Sequence, residues 1–146
     1  MPKPSGPPTE TPIGLLLNRV AKDAGRAFDD ALAASGGGAA TWQVLLALKT
    51  RQVANQRELA EAIGIRGATL THHLNGMEDA GLLVRRRDPG NRRVHLVELT
   101  GDGDALFLRL AGAAREFDGR LRAGLSAEDL STLRRLLGAL HANATG

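Results

Sequence analysis

Thr69, Thr71, His72 and Asn75 can all exchange hydrogen bonds with the edges of nucleic-acid bases, and Ala68 and the threonine methyls can meet thymine methyl groups. They fall on one face of the segment GATLTHHLNGMEDA, opposite Leu70, Leu74 and Met77 at i, i+4, i+7 spacing. That face is small, polar and almost free of charge. A major groove about 12 Å wide accepts such a helix, whereas bulky or acidic side chains would clash with bases or repel phosphates. A solvated helix face is the plain alternative, and the segment that follows weighs against it.

That segment carries the arginines. Arg85, Arg86 and Arg87 precede Asp88-Pro89-Gly90-Asn91, a strong turn sequence, and Arg92 and Arg93 follow it. Residues 1–40 and 41–81 each hold four basic and four acidic residues, and 101–146 holds six of each. Residues 82–100 set five arginines against Asp88 and Glu98, so the formal charge of +3 resides there. Arginines that alternate along a strand can meet phosphates while one braces the hairpin, and a tip arginine can enter a narrow, electronegative minor groove. Arg66, just before the polar-faced helix, is a further candidate phosphate contact.

The bulk sequence limits the other classes. A chain of 146 residues suits one domain with its own core. The absence of cysteine removes disulfides, thiolate zinc sites and thiol catalysis, and fits a cytoplasmic location. MPKPSGPPTETP has no apolar stretch of signal-peptide type, and no run approaches the roughly 20 apolar residues that span a bilayer. No membrane partner is expected. Arginine supplies 16 of the 19 basic residues, which a GC-rich coding bias would also produce, but such a bias leaves the local charge imbalance unexplained.

Around the two DNA-shaped segments the pattern predicts a mainly α fold with a small two-stranded hairpin, four helices before it and two after. Residues 1–10 read as a proline-rich flexible arm. Thr11-Pro12 opens a helix to about Ala34, with Leu16, Val20, Ala24, Ala27 and Ala31 on one face, and SGGG at 35–38 stops it. A second helix from about Thr41 carries Trp42, Leu45, Leu46 and Leu48. Asn55 with Glu58 resembles a capping box for a third helix, with Leu59, Ala60 and Ile63 inward and Gly64 as its stop. The polar-faced helix runs from about Gly67 to Ala80 and ends at Gly81. Strands are expected at 82–87 and 93–99. Thr100 caps a helix to about Arg122, and Ser126 with Asp129 opens the last, to about Asn143.

The residues LAEAIGI from Leu59, ATLTHHLNGMEDAGLLVRRRDPGNRRV from Ala68, and Leu99-Thr100 together resemble the MarR family of winged helix-turn-helix transcription regulators. The family's wing motif is Asp-x-Arg, five residues, Leu-Thr; here it reads Asn91-Arg92-Arg93, five residues, Leu99-Thr100. The resemblance implies that Arg93 is the minor-groove arginine. Asn91 replaces the usual acid, which weakens an ion pair bracing the wing. Arg66-Gly67 replaces a Ser-Pro-like helix start and leaves the recognition helix without a side-chain cap. The resemblance further implies a homodimer on a pseudo-palindromic double-stranded operator, acting as a repressor relieved by a small organic effector, phenolic or anionic. Its organisation would be a dimerisation helix at 11–40, a DNA-binding domain at 41–100 and C-terminal dimerisation helices at 101–146. Phe28, Trp42 and His73 are the candidates for lining an effector crevice.

Other residues invite duller readings. His72 and His73 point about 100° apart on a helix and cannot easily share a metal; His73 reads as a partly buried histidine on the core side. Phe107 and Phe117 read as core or dimer packing. No His/Asp/Glu cluster has metal spacing, Asp29-Asp30 adjoin rather than converge, and no cofactor is expected. Two other functions compete: a winged helix that binds protein and never DNA, and a small helical enzyme. The second needs a converging nucleophile and base, which the sequence does not offer.

Overall fold

A computed structural model describes residues 9–50 and 54–146, so residues 1–8 of the expected arm lie outside the described residues. Six helices and three strands follow in the order α1 (Ile13–Ala34), α2 (Ala39–Thr50), β1 (Ala54–Asn55), α3 (Gln56–Ile63), α4 (Gly67–Asp79), β2 (Leu83–Asp88), β3 (Asn91–Leu99), α5 (Gly101–Leu121) and α6 (Ala127–Thr145). This is the mainly α, winged-helix architecture expected, with one addition. Ala54 and Asn55 pair antiparallel with Val97 and Leu96, so the hairpin becomes a three-stranded sheet in the order β1-β3-β2. A two-residue strand is too short to leave an alternation in the sequence.

Local chemistry sets the helix ends. Asn55 accepts a hydrogen bond from the Glu58 amide and caps α3, and Gly64, at φ 77°, closes it. After α4 the amide of Gly81 donates to the Glu78 carbonyl and that of Leu82 to Met77. This is a Schellman closure, and glycine is favoured at Gly81 because φ there is 75°. Ser126 and Asp129 form a reciprocal capping box on α6. The start of α1 differs from expectation: Pro12, not Thr11, is the N-cap and no side chain caps the helix. Proline's fixed φ suits a helix start, but it carries no side-chain acceptor.

The chain divides into two compact units, residues 1–114 and 115–146. The expected functional boundaries at 40/41 and 100/101 both fall within the first unit. The first unit holds the core, where Leu32, Val44, Leu45, Leu48, Leu59, Leu70, Leu74, Met77, Leu83, Val97, Leu106 and Leu110 are buried together. Of the apolar residues noted on α2, Leu46 is exposed, since α2 buries only Val44, Leu45 and Leu48. On α1 only Leu32 is buried; Leu16 and Val20 are exposed in the single chain.

Two close fits join the hairpin to α5. The Thr100 hydroxyl donates to the Gly81 carbonyl and accepts from the Gly103 amide, so one side chain caps α5 and ties it to the end of α4. Gly103 is buried, and a Cβ there would lie 2.0 Å from the Leu82 carbonyl oxygen. Only glycine fits that approach. Thr100 caps α5 as its position predicts, whereas the Gly103 approach joins residues distant in sequence and is invisible to local pattern.

Candidate nucleic-acid interface

The polar face of α4 stands out as expected. Arg66 precedes it in extended conformation with no side-chain cap, and Ala68, Thr69, His72, Asn75 and Gly76 are exposed. Thr71 is placed differently. It is half-buried, its hydroxyl donates to the Gly67 carbonyl at 3.0 Å, and it accepts from the Gln56 amide of α3. Both uses are internal, so Thr71 joins the two helices rather than offering a free hydroxyl. Its neighbours remain available, because only side chains turned from α3 escape this contact.

The hairpin is pinned to α4 through Glu78. The Arg85 amide donates to Glu78 Oε2 at 2.9 Å and its guanidinium donates to Oε1 at 3.1 Å, while the same guanidinium reaches Asn75 Oδ1 at 2.6 Å. The Arg85 side-chain hydrogen bonds, followed by its backbone N–H, hold the Glu78 carboxyl below the usual carboxylate range. The opposite charges flank the Gly81 turn seven residues apart, so the pairing has a signal in the sequence itself. Arg86 pairs with Glu98 across the sheet, and Arg87 Nη1 donates to the Arg92 carbonyl at 3.0 Å. Each of the three arginines expected at phosphates therefore already has a partner within the fold, and Arg85 has two.

At the tip the ladder breaks. The pairs run regularly from Leu83↔Leu99 to Arg87↔His95, then jump to Asp88↔Asn91. Arg92, Arg93 and Val94 are left without cross-strand partners in this register, so the wing carries a bulge where its outermost arginines sit. Asp88 accepts from the Gly90 amide at 2.8 Å, and Asn91 Oδ1 accepts from the Arg93 amide at 3.2 Å. Asn91 thus braces the tip through a side-chain-to-backbone bond. Among the described residues, the side chains of Arg66, Arg92 and Arg93 are exposed and have no ion-pair or hydrogen-bond partner. A groove runs between α3, the start of α4 and the wing, lined by Gln56, Arg57, Glu61, Thr71, Arg85 and Arg93 among others.

The candidates for an effector crevice lie elsewhere. Phe28 and Trp42 pack against the core cluster, and Trp42 stacks on Phe107 with centroids 5.6 Å apart. Lys49 stands 5.5 Å over the Phe107 ring and reaches Asp104 at 3.0 Å, joining α2 to α5. Phe107 belongs to this aromatic pair, which its expected packing role did not specify. His73 is half-buried on α4, its ring 5.9 Å from that of His72 and tilted by 57°. Among the described residues no group of His, Asp or Glu could hold a metal ion.

A basic bulged wing beside a polar helix face is the geometry of a winged helix-turn-helix, and the sequence model of the MarR family matches residues 39–95, from α2 into β3. The chain carries a MarR-family domain. The likeness to solved MarR-type structures extends beyond that segment. The repressor CouR bound to a 23-mer DNA duplex is 29% identical, with 89% of this chain and 92% of that one covered and a TM-score of 0.79. BpsR of Bordetella bronchiseptica, whose DNA binding is regulated by 6-hydroxynicotinic acid, is 27% identical, with 93% and 98% covered and a TM-score of 0.78. A MarR variant from E. coli complexed with operator DNA is 25% identical, with 88% and 93% covered and a TM-score of 0.78. No single helix among the described residues is long and apolar enough to cross a membrane.

Proposed function

We propose that this chain is a homodimeric, sequence-specific double-stranded-DNA-binding transcription regulator of MarR type, a repressor relieved by a small organic effector. The observation that carries the reading is the pairing of α4's exposed polar face with a wing tip whose arginines have no partner in the fold. Ala68, Thr69, His72 and Asn75 face the major groove, Arg93 with Arg92 probes the minor groove, and Arg66 meets a phosphate. CouR and the E. coli MarR variant were captured on duplex DNA, which supports the same use here.

Dimerisation is assigned to residues 11–40 and 101–146, and DNA binding to 41–100. Within their own units, α1 exposes Ile13, Leu16 and Val20, and α6 exposes Leu133, Leu136 and Leu137. Such faces are costly in water and are relieved by burial against a second copy. The effector reading rests on the ligand-regulated BpsR. An effector that prefers the copy-to-copy spacing unable to span two half-sites would release DNA by mass action. Because the matched proteins are regulators, we assign no enzymatic activity.

The test is fluorescence anisotropy with duplexes covering the DNA around the chain's own gene. Saturable, salt-sensitive binding with a footprint confined to one site is expected. Binding to no duplex, with a folded protein, would instead favour a winged helix that docks protein.

A further inference from the structure

Arg85 lies on a wing strand, yet its guanidinium faces α4 rather than the wing's outer surface. It is half-buried, with its side chain only 19% exposed, and it spans Glu78 and Asn75 together. Guanidinium has donors only, so the atom of Asn75 that meets it at 2.6 Å must be the amide oxygen. The orientation of an exposed asparagine amide is normally free, and here one neighbour decides it. With Oδ1 turned to Arg85, the Nδ2 hydrogens are the part of Asn75 that remains unengaged on the exposed face of α4. Glu78 accepts from the same guanidinium at Nη2 (3.1 Å) and at Nε (3.5 Å), and from the Arg85 backbone amide as well, so the fork is itself fixed.

We propose that Arg85 is a specificity-positioning residue: it orients the Asn75 amide so that α4 presents a hydrogen-bond donor to one base pair of each half-site. This deepens the function proposed above and rests on it. The expected base partner is an acceptor on the major-groove edge, such as guanine O6 or N7, adenine N7 or thymine O4, and cytosine N4 is disfavoured. Arg85 then spends its charge inside the protein and not on a phosphate. The wing and the recognition helix become one reading unit, because moving the wing strand by an ångström would release the amide.

The experiment enriches bound sequences from a pool of randomised duplexes and follows with salt titrations of the best site, for the wild type, Arg85→Lys, Arg85→Ala, Asn75→Ala and the double variant Arg85→Lys, Asn75→Ala. Lysine keeps the charge but not the fork that spans both partners. Discrimination at one base pair per half-site should fall by about tenfold in Arg85→Lys. Asn75→Ala should flatten the same position, and the double variant should lose no more than Asn75→Ala. The salt slope of Arg85→Ala should equal that of the wild type. Asn75→Ala leaves the Glu78–Arg85 clamp intact and so reads the same position even if Arg85→Ala folds poorly.

A salt slope shallower by about 1.8 in Arg85→Ala, one phosphate for each of the dimer's two wings, with every base preference retained, would assign Arg85 to a phosphate and overturn the inference. Additive losses at two different base pairs would overturn it as well. Failure of the wild type to enrich any sequence overturns the DNA-binding reading itself, an outcome distinct from both.

Discussion

Thr71 shows how one hydrogen bond reassigns a residue. By type and spacing it belonged with Thr69, His72 and Asn75 as a base reader, but its hydroxyl is engaged by Gln56 and by the Gly67 carbonyl. Thr71→Ala leaves the Gln56 amide without this partner and should cost about 1 kcal/mol of stability in urea denaturation. Base preference is retained in that account; a relaxed preference with unchanged stability would return Thr71 to the readers. Asn91 teaches the complementary lesson. The sequence implied a loss when asparagine replaced the wing acid, yet its Oδ1 accepts from the Arg93 amide. A side-chain acceptor two residues ahead of a backbone donor serves the turn with or without charge.

Elements were the most legible scale, and their junctions the least. Helix α3 begins and ends at its expected cap and glycine stop, α4 ends beside its expected glycine and α6 begins at its expected cap, because caps and glycine stops act over only a few residues. The third strand, the Glu78–Arg85 clamp and the Gly103 approach join segments through space, and short-range patterning is blind to such contacts. Gly103→Ala forces a Cβ against the Leu82 carbonyl, which belongs to backbone and cannot simply turn aside. It should cost about 2 kcal/mol or more and lower Tm by several degrees. Glu78 adds a pH dependence. Its carboxyl is held below the ordinary value of 4.5, so its stabilising contribution is present above that pH and is lost as pH falls through the lowered folded value. Glu78→Gln should therefore flatten the acid limb of a stability-versus-pH curve, and an unaltered limb would remove Glu78 from the wing's support.

For the whole molecule, the sequence carried the winged-helix order and the local charge excess, but not which arginines the fold itself engages. Arg85, Arg86 and Arg87 read as phosphate contacts with one bracing the hairpin, yet all three are partnered within the fold, and Arg92 and Arg93 are left at the bulged tip. Assembly belongs to this scale too. Leu16 and Val20 lie on the α1 face noted for its periodicity and are 46% and 55% exposed in one chain, a burial deficit that a second copy would relieve. Leu16→Asp should shift sedimentation from dimer to monomer. Operator affinity should fall with it, because a monomer holds only one half-site. A variant that remains dimeric would place the interface elsewhere.

In the proposed function the wing tip supplies the electrostatics of DNA binding while the nearly neutral α4 supplies the choice of sequence. The most direct measurement is the salt dependence of operator affinity for the wild type and for the Arg92→Ala, Arg93→Ala double variant. The slope of log K against log salt should become shallower by about 2 or more, since each neutralised phosphate contributes about 0.9 and a dimer presents two wings. Affinity should fall on every sequence while the order of preferred sites survives. An unchanged slope with an altered order of sites would contradict the account.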